Sequence, residues 1–197
     1  MDISNFLTGP AGQTVIQSVS QQLGLNKTEA SSAISAAMPT ILAGLTRNAQ
    51  TATGAQSLNS ALESKHDGSL LDNIGSILQG GGIHSLQQDG SGILGHIFGN
   101  QLDNVTKNVS QKSGVGLDKI SSLLPILAPI VMAYLGKQKQ QNNVSAGGLG
   151  DLLGGMLSGG ASKSKSSGGI MDLVTGILDK NNDGNVFDDI IGGFFKK

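Results

Sequence analysis

Apolar residues recur along the chain with helical spacing. Val15, Ile16, Val19 and Leu23 fall on one face of a segment covering 11–23. Gly24 stops that helix, and Asn26 with Glu29 three residues on forms a capping-box pattern for the next. Ala30, Ala33, Ile34 and Ala37 make the second face. Pro39 then either opens a third helix or kinks a continuous one, and Ile41, Leu42 and Leu45 carry it to about Asn48. Residues 55–65 read as a polar helix. Leu70, Leu71, Ile74, Ile77 and Leu78 read as an amphipathic turn pair ending in Gly80-Gly81-Gly82. Ser91–Leu102 is a further helical piece. The longest apolar run, Leu123 to Leu135, is 13 residues and contains Pro125 and Pro129. A spanning helix needs about 20 residues, so the run reads as a buried core helix and no transmembrane segment is expected.

Beyond Asn143 the composition changes. Leu149, Leu152, Leu153, Met156 and Leu157 suit a short helix, but the interspersed glycines each cost about 1 kcal/mol relative to alanine, so only docking would hold it. Ser158–Gly169 is a Gly/Ser-rich linker. Ile170–Leu178 reads as a short helix, then a polar loop, then a final helix through Phe195. No alternating apolar pattern of useful length occurs, and the expected class is all-α.

Shifting the sequence by 90 residues brings the pattern back without a gap. Val15 and Val19 meet Val105 and Val109; Ser20-Gln21 meets Ser110-Gln111; Gly24 meets Gly114; Ser31-Ser32 meets Ser121-Ser122; Pro39 meets Pro129; Leu45 meets Leu135. Register kept at glycine and proline positions indicates two tandem copies of one helical unit, about 5–48 and 95–138. Two copies suit a pseudo-twofold pair packed face to face, the more apolar second copy nearer the centre. The expected organisation is a duplicated helical domain over 1–140, a linker with a short helix over 141–169, and a helix–loop–helix over 170–197.

One stretch names a ligand. Asp179, Asn181 and Asp183 place side-chain oxygens at alternate positions, Gly184 stands where the loop must turn, Asn185 offers its backbone carbonyl and Val186 is an apolar anchor. This is how a chain wraps Ca2+, which takes six to eight oxygens. The usual bidentate Glu at the twelfth position is replaced by Ile190. Asp188 or Asp189 would close the sphere in a shortened loop. The bland reading is a polar turn with Asp188 capping the last helix. The loop is solitary, so it fits a local clip or a contact between chains better than a two-site sensor.

Composition narrows the alternatives. The net charge is −1, from 13 basic and 14 acidic residues, with a single arginine, Arg47. A phosphate-backbone binder needs a basic face. Residues 13–37 have the lengths of a helix–turn–helix, but Lys27 is the only base on the second helix. A nucleic-acid-associated regulator is therefore the alternative reading. There is no cysteine, so no thiolate metal site. His66, His84 and His96 have no paired spacing. His96, in an apolar segment, reads as a core or groove histidine. No catalytic constellation is visible, and no enzyme is expected. The N-terminal residues lack a signal pattern, so the expected location is cytoplasmic.

Ser91-Gly92-Ile93-Leu94-Gly95-His96-Ile97-Phe98-Gly99, then Val109-Ser110-Gln111 and Leu123-Leu124-Pro125-Ile126-Leu127-Ala128-Pro129, resemble the bacterial domain of unknown function 937 (YidB-like) family. The resemblance covers most of 1–140, and the Asp-x-Asn-x-Asp-Gly tail resembles that of many members. It implies an all-helical fold and supplies no activity. The function expected from the sequence is a calcium-binding helical scaffold or interaction protein, self-associating or binding a protein partner.

Overall fold

The computed structural model describes residues 3–157, and the described chain is all-helical. Ten α-helices follow in order: α1 (Ile3–Thr8), α2 (Pro10–Leu23), α3 (Lys27–Ala49), α4 (Ala52–Ser64), α5 (Ser69–Asp72), α6 (Ile74–Gln79), α7 (Ile83–Phe98), α8 (Leu102–Ser113), α9 (Leu117–Gln141) and α10 (Leu149–Leu157). Short 3-10 turns precede α8 and α10.

Local chemistry sets the boundaries. Pro10 occupies the first turn of α2, where its missing N–H costs nothing. Gly24 ends α2 in the left-handed conformation at φ 61° and donates its N–H to the Ser20 carbonyl. The capping box at the start of α3 is complete: Asn26 Oδ1 accepts from the Glu29 amide at 2.8 Å, and the Asn26 amide donates to Glu29 Oε2 at 2.9 Å. Pro39 does not open a new helix; α3 runs through it as one rod, as α9 runs through Pro125 and Pro129. Each interior proline removes a backbone hydrogen bond and costs about 3 kcal/mol in a free helix. Burial of these two helices offsets it.

Helices α3 and α9 form the core. Ala33, Ile34, Ile41 and Leu42 of α3 and Ile120, Leu123, Ile130 and Leu135 of α9 are fully enclosed. Around them pack α2, α4, α7, α8 and α10. Among the described residues, α9 is the one helix long and apolar enough to cross a membrane, and most of its apolar stretch is buried in the body. Aromatic content is only 3%. Among the described residues the close ring contact is Phe6 of α1 on Tyr134 of α9, with centroids 5.0 Å apart.

Small residues let the backbones meet. A methyl on Gly12 would run into the Phe6 carbonyl, so α1 folds back tightly on α2. Gly44 of α3 leaves room for Ile97 and Phe98 of α7. The segment expected at 91–102 is divided: 91–98 is the end of a longer helix, α7, which starts at Ile83 and continues through Gly90, Gly92 and Gly95, and a 3-10 turn at Gly99–Gln101 leads into α8 at Leu102. The glycines weaken α7 locally, and the seat on α9 holds it.

Docking also holds α10. Leu149, Leu153 and Met156 are buried against α3 and α4. At about 2 kcal/mol for each buried side chain, they outweigh the penalty of about 1 kcal/mol for each of Gly150, Gly154 and Gly155.

Candidate functional site

The two helical hairpins carry matching local bonds. Ser20 Oγ donates to the Leu25 carbonyl at 2.6 Å, and Ser110 Oγ donates to the Val115 carbonyl at 2.6 Å. Gly24 and Gly114 both adopt the left-handed conformation, each donating its N–H to the carbonyl of that serine. One difference is at the cap. Asn26 caps α3, whereas Gly116, its counterpart 90 residues on, caps α9 without a side chain.

Among the described residues, the buried histidine is His66. It follows the C-terminus of α4, where its amide and that of Lys65 both reach back to the Ala61 carbonyl. Its ring is 4% exposed. The Nε2 atom faces Asp89 Oδ2 of α7 at 3.5 Å, and Nδ1 is enclosed with no hydrogen-bond partner. Burial pushes the imidazole below its usual range. The Asp89 and Asp67 carboxylates oppose this, and the Lys65 ammonium adds to it. The neutral tautomer that suits this setting keeps its proton on Nε2, toward Asp89, and leaves Nδ1 bare.

The backbone around His66 is pinned as well. The His66 carbonyl lies against Gly136 of α9 so closely that a methyl there would collide with it. Gly68, at φ 103°, turns the chain over Lys137. Lys137 Nζ meets Asp72 Oδ1 at 2.8 Å, tying α5 to α9. His66 thus joins α4, α7 and α9 at one point. No sequence spacing pairs it with Asp89, 23 residues away on another helix.

Two surface depressions flank the body. A groove of about 230 Å³ between α7, α8 and α9 is lined by Leu94, Leu102, Thr106, Leu117, Leu124 and Pro125, with Asp103 and Lys107 at its edge. Leu117 is 46% exposed there. A wider polar notch of about 620 Å³ lies by Asn59, Glu63, Lys139 and Asn143. Lys139 Nζ meets Glu63 Oε1 at 2.7 Å, and that bond holds the Glu63 carboxyl below its usual range.

His96 is not the core or groove histidine expected from its apolar segment. It lies on the exposed side of α7, and its carbonyl accepts from Asn48 Nδ2 at 3.4 Å. The apolar face of α7 is carried by Leu94 and Ile97, which turns position 96 outward. His84 is exposed too. The buried histidine is the one that the spacing did not single out.

Among the described residues, no three His, Asp or Glu side chains gather in a way that would hold a metal ion. The calcium-ligand candidates Asp179, Asn181, Asp183, Asn185, Asp188 and Asp189 lie outside the described residues, as does the whole segment 170–197.

No curated protein and no solved structure matches the chain. The model of one family matches residues 5–138, from the end of α1's first turn to the last turns of α9, and so takes in both hairpins and the His66 junction. The chain belongs to that family, described as bacterial protein of unknown function (DUF937).

Proposed function

We propose that this protein is a calcium-binding helical scaffold that serves interaction rather than chemistry. The body is a duplicated helical unit, and residues 170–197 form an EF-hand-like clip. The observation that carries the calcium reading is the order Asp179, Asn181, Asp183, Gly184, which sets three oxygen ligands at alternate positions before a turn. Asn185 adds a carbonyl, and Asp188 or Asp189 closes the sphere. Supporting the duplication are the matched bonds of Ser20 and Ser110 and the matched left-handed glycines.

The nucleic-acid reading is less well supported. The helix that would enter a groove is α3, which packs against α2, α4, α8 and α10 and carries only Lys27 and Arg47 as bases.

Calcium titration by calorimetry on the full chain is the test. We expect one binding isotherm for the wild type, lost in Asp183→Ala. Asp188→Asn and Asp189→Asn then show which carboxylate closes the site. Absence of heat in the wild type would remove the calcium reading.

A further inference from the structure

The α5–α6 segment has a counterpart in the tail, at an offset of 100 residues instead of 90. Ser64, Lys65, Gly68, Asp72, Ile77 and Leu78 are matched by Ser164, Lys165, Gly168, Asp172, Ile177 and Leu178. Leu70, Leu71 and Ile74 are matched by Ile170, Met171 and Val174. The matched positions include the glycine that makes the turn, the acid that makes the ion pair and the apolar side chains that dock.

In the first copy this segment has a defined seat. Leu71, Ile74 and Leu78 are buried. Helix α6 lies along α2, with Gly75 facing the methyl of Thr14, and α5 lies against α9. Asp72 binds Lys137. The 90-residue shift turns that seat into its equivalent: α2 becomes α8, α9 becomes α3, and Lys137 becomes Arg47. Arg47 is exposed and has no ion pair among the described residues. The positions equivalent to Ala11, Thr14 and Ser18 are Gln101, Asn104 and Asn108. Ser18 is buried, while Gln101 and Asn104 are exposed.

We propose that residues 168–178 dock on the face formed by α8 and the end of α3, Asp172 pairing with Arg47 as Asp72 pairs with Lys137. This rests on the duplication reading. Residues 158–167 join Leu157 to Gly168, a reach of up to about 38 Å over the intervening Cα-to-Cα steps. Two features differ from the first seat. Thr46 stands where Gly136 stands, and Ser166 where His66 stands, so the close backbone approach at Gly136 is not repeated. The amides on α8 replace smaller side chains and offer less apolar area. The tail therefore docks more weakly than α5–α6, and the ion pair carries a larger share of its specificity. Leu178 leads directly into Asp179, so docking would set the start of the calcium loop beside α8.

The chain has no cysteine, so a nitroxide can be attached at one introduced site. Lys107→Cys is exposed and borders the α8 seat; Gln17→Cys is the equivalent site on α2. In the isotopically labelled full chain, the label at 107 is expected to broaden the amide signals of 170–178. The label at 17 is expected to broaden those of 70–78. Arg47→Glu should abolish the first effect and leave the second, and adding Asp172→Lys should restore it. Unbroadened tail signals, in a chain whose 70–78 signals respond, would overturn the proposal. So would broadening seen only when label and isotope are on different molecules, since the seat would then belong to a second copy. Measurement with chelator and with calcium separates this docking from metal binding: broadening in either condition supports it. Its failure leaves the duplication of the hairpins standing, because that is judged on Ser20 and Ser110.

Discussion

Gly90 of α7 rests on the carbonyl oxygen of Pro125 in α9, with no room between them for a methyl group. The proline four residues on, Pro129, has no N–H to offer that carbonyl. The break in one helix's bonding thus coincides with the bare backbone of its neighbour.

Gly90→Ala should therefore destabilise the fold. Overpacking costs about 1–3 kcal/mol, and the gain of about 1 kcal/mol in helix propensity offsets part of it. Gly92 and Gly95 lie on the same helix with nothing within 4 Å of an added methyl. Alanine there should stabilise by up to about 1 kcal/mol. Denaturant midpoints of the three variants test the contrast, and equal effects at 90 and 92 would contradict it.

His66 predicts a pH dependence. Its folded-state pKa lies below the usual value of 6.5, so at acidic pH the unfolded chain takes up the proton first. Stability is then full above about pH 6.5 and falls as pH drops from there toward the folded-state pKa. Urea unfolding between pH 5 and 8 should show this slope. His66→Gln should lose it, while Asp89→Asn should steepen it by removing the opposing carboxylate.

The two serines test the duplication. Removing a partly buried hydroxyl bond costs about 1 kcal/mol. Ser20→Ala and Ser110→Ala should each lose about that much, and by similar amounts, because the two bonds have the same length and are both partly buried. A large loss at one site and none at the other would count against equivalent hairpins.

The capping box predicts an asymmetry. Asn26→Ala should cost about 1 kcal/mol, read from the thermal midpoint. At Gly116, which supplies no side-chain cap, alanine should cost less.

The sequence reveals the helices well where one residue decides the local outcome. Gly24, Asn26 and Glu29 mark the α2–α3 boundary because each bond there spans only a few residues. Pro39 left two outcomes open, because only the burial of Ile34, Ile41 and Leu42 decides whether a helix survives an interior proline. His66 was not legible, since its partner Asp89 and its backbone neighbour Gly136 come from other helices and share no spacing with it. His96 misled for the opposite reason: an apolar neighbourhood in sequence says little about which way one helical position faces. The proposed calcium loop is read from its own spacing alone and lies outside the described residues.

The Phe6–Tyr134 contact has a spectroscopic consequence. Tyr134 is the one tyrosine in a chain without tryptophan. The tyrosine bands of near-ultraviolet dichroism and fluorescence consequently report on a single place, the seat of α1 on α9, and not on the rest of the core. If the N-terminal helix lifts before the body melts, these optical signals will fade at a lower temperature than the far-ultraviolet helix signal.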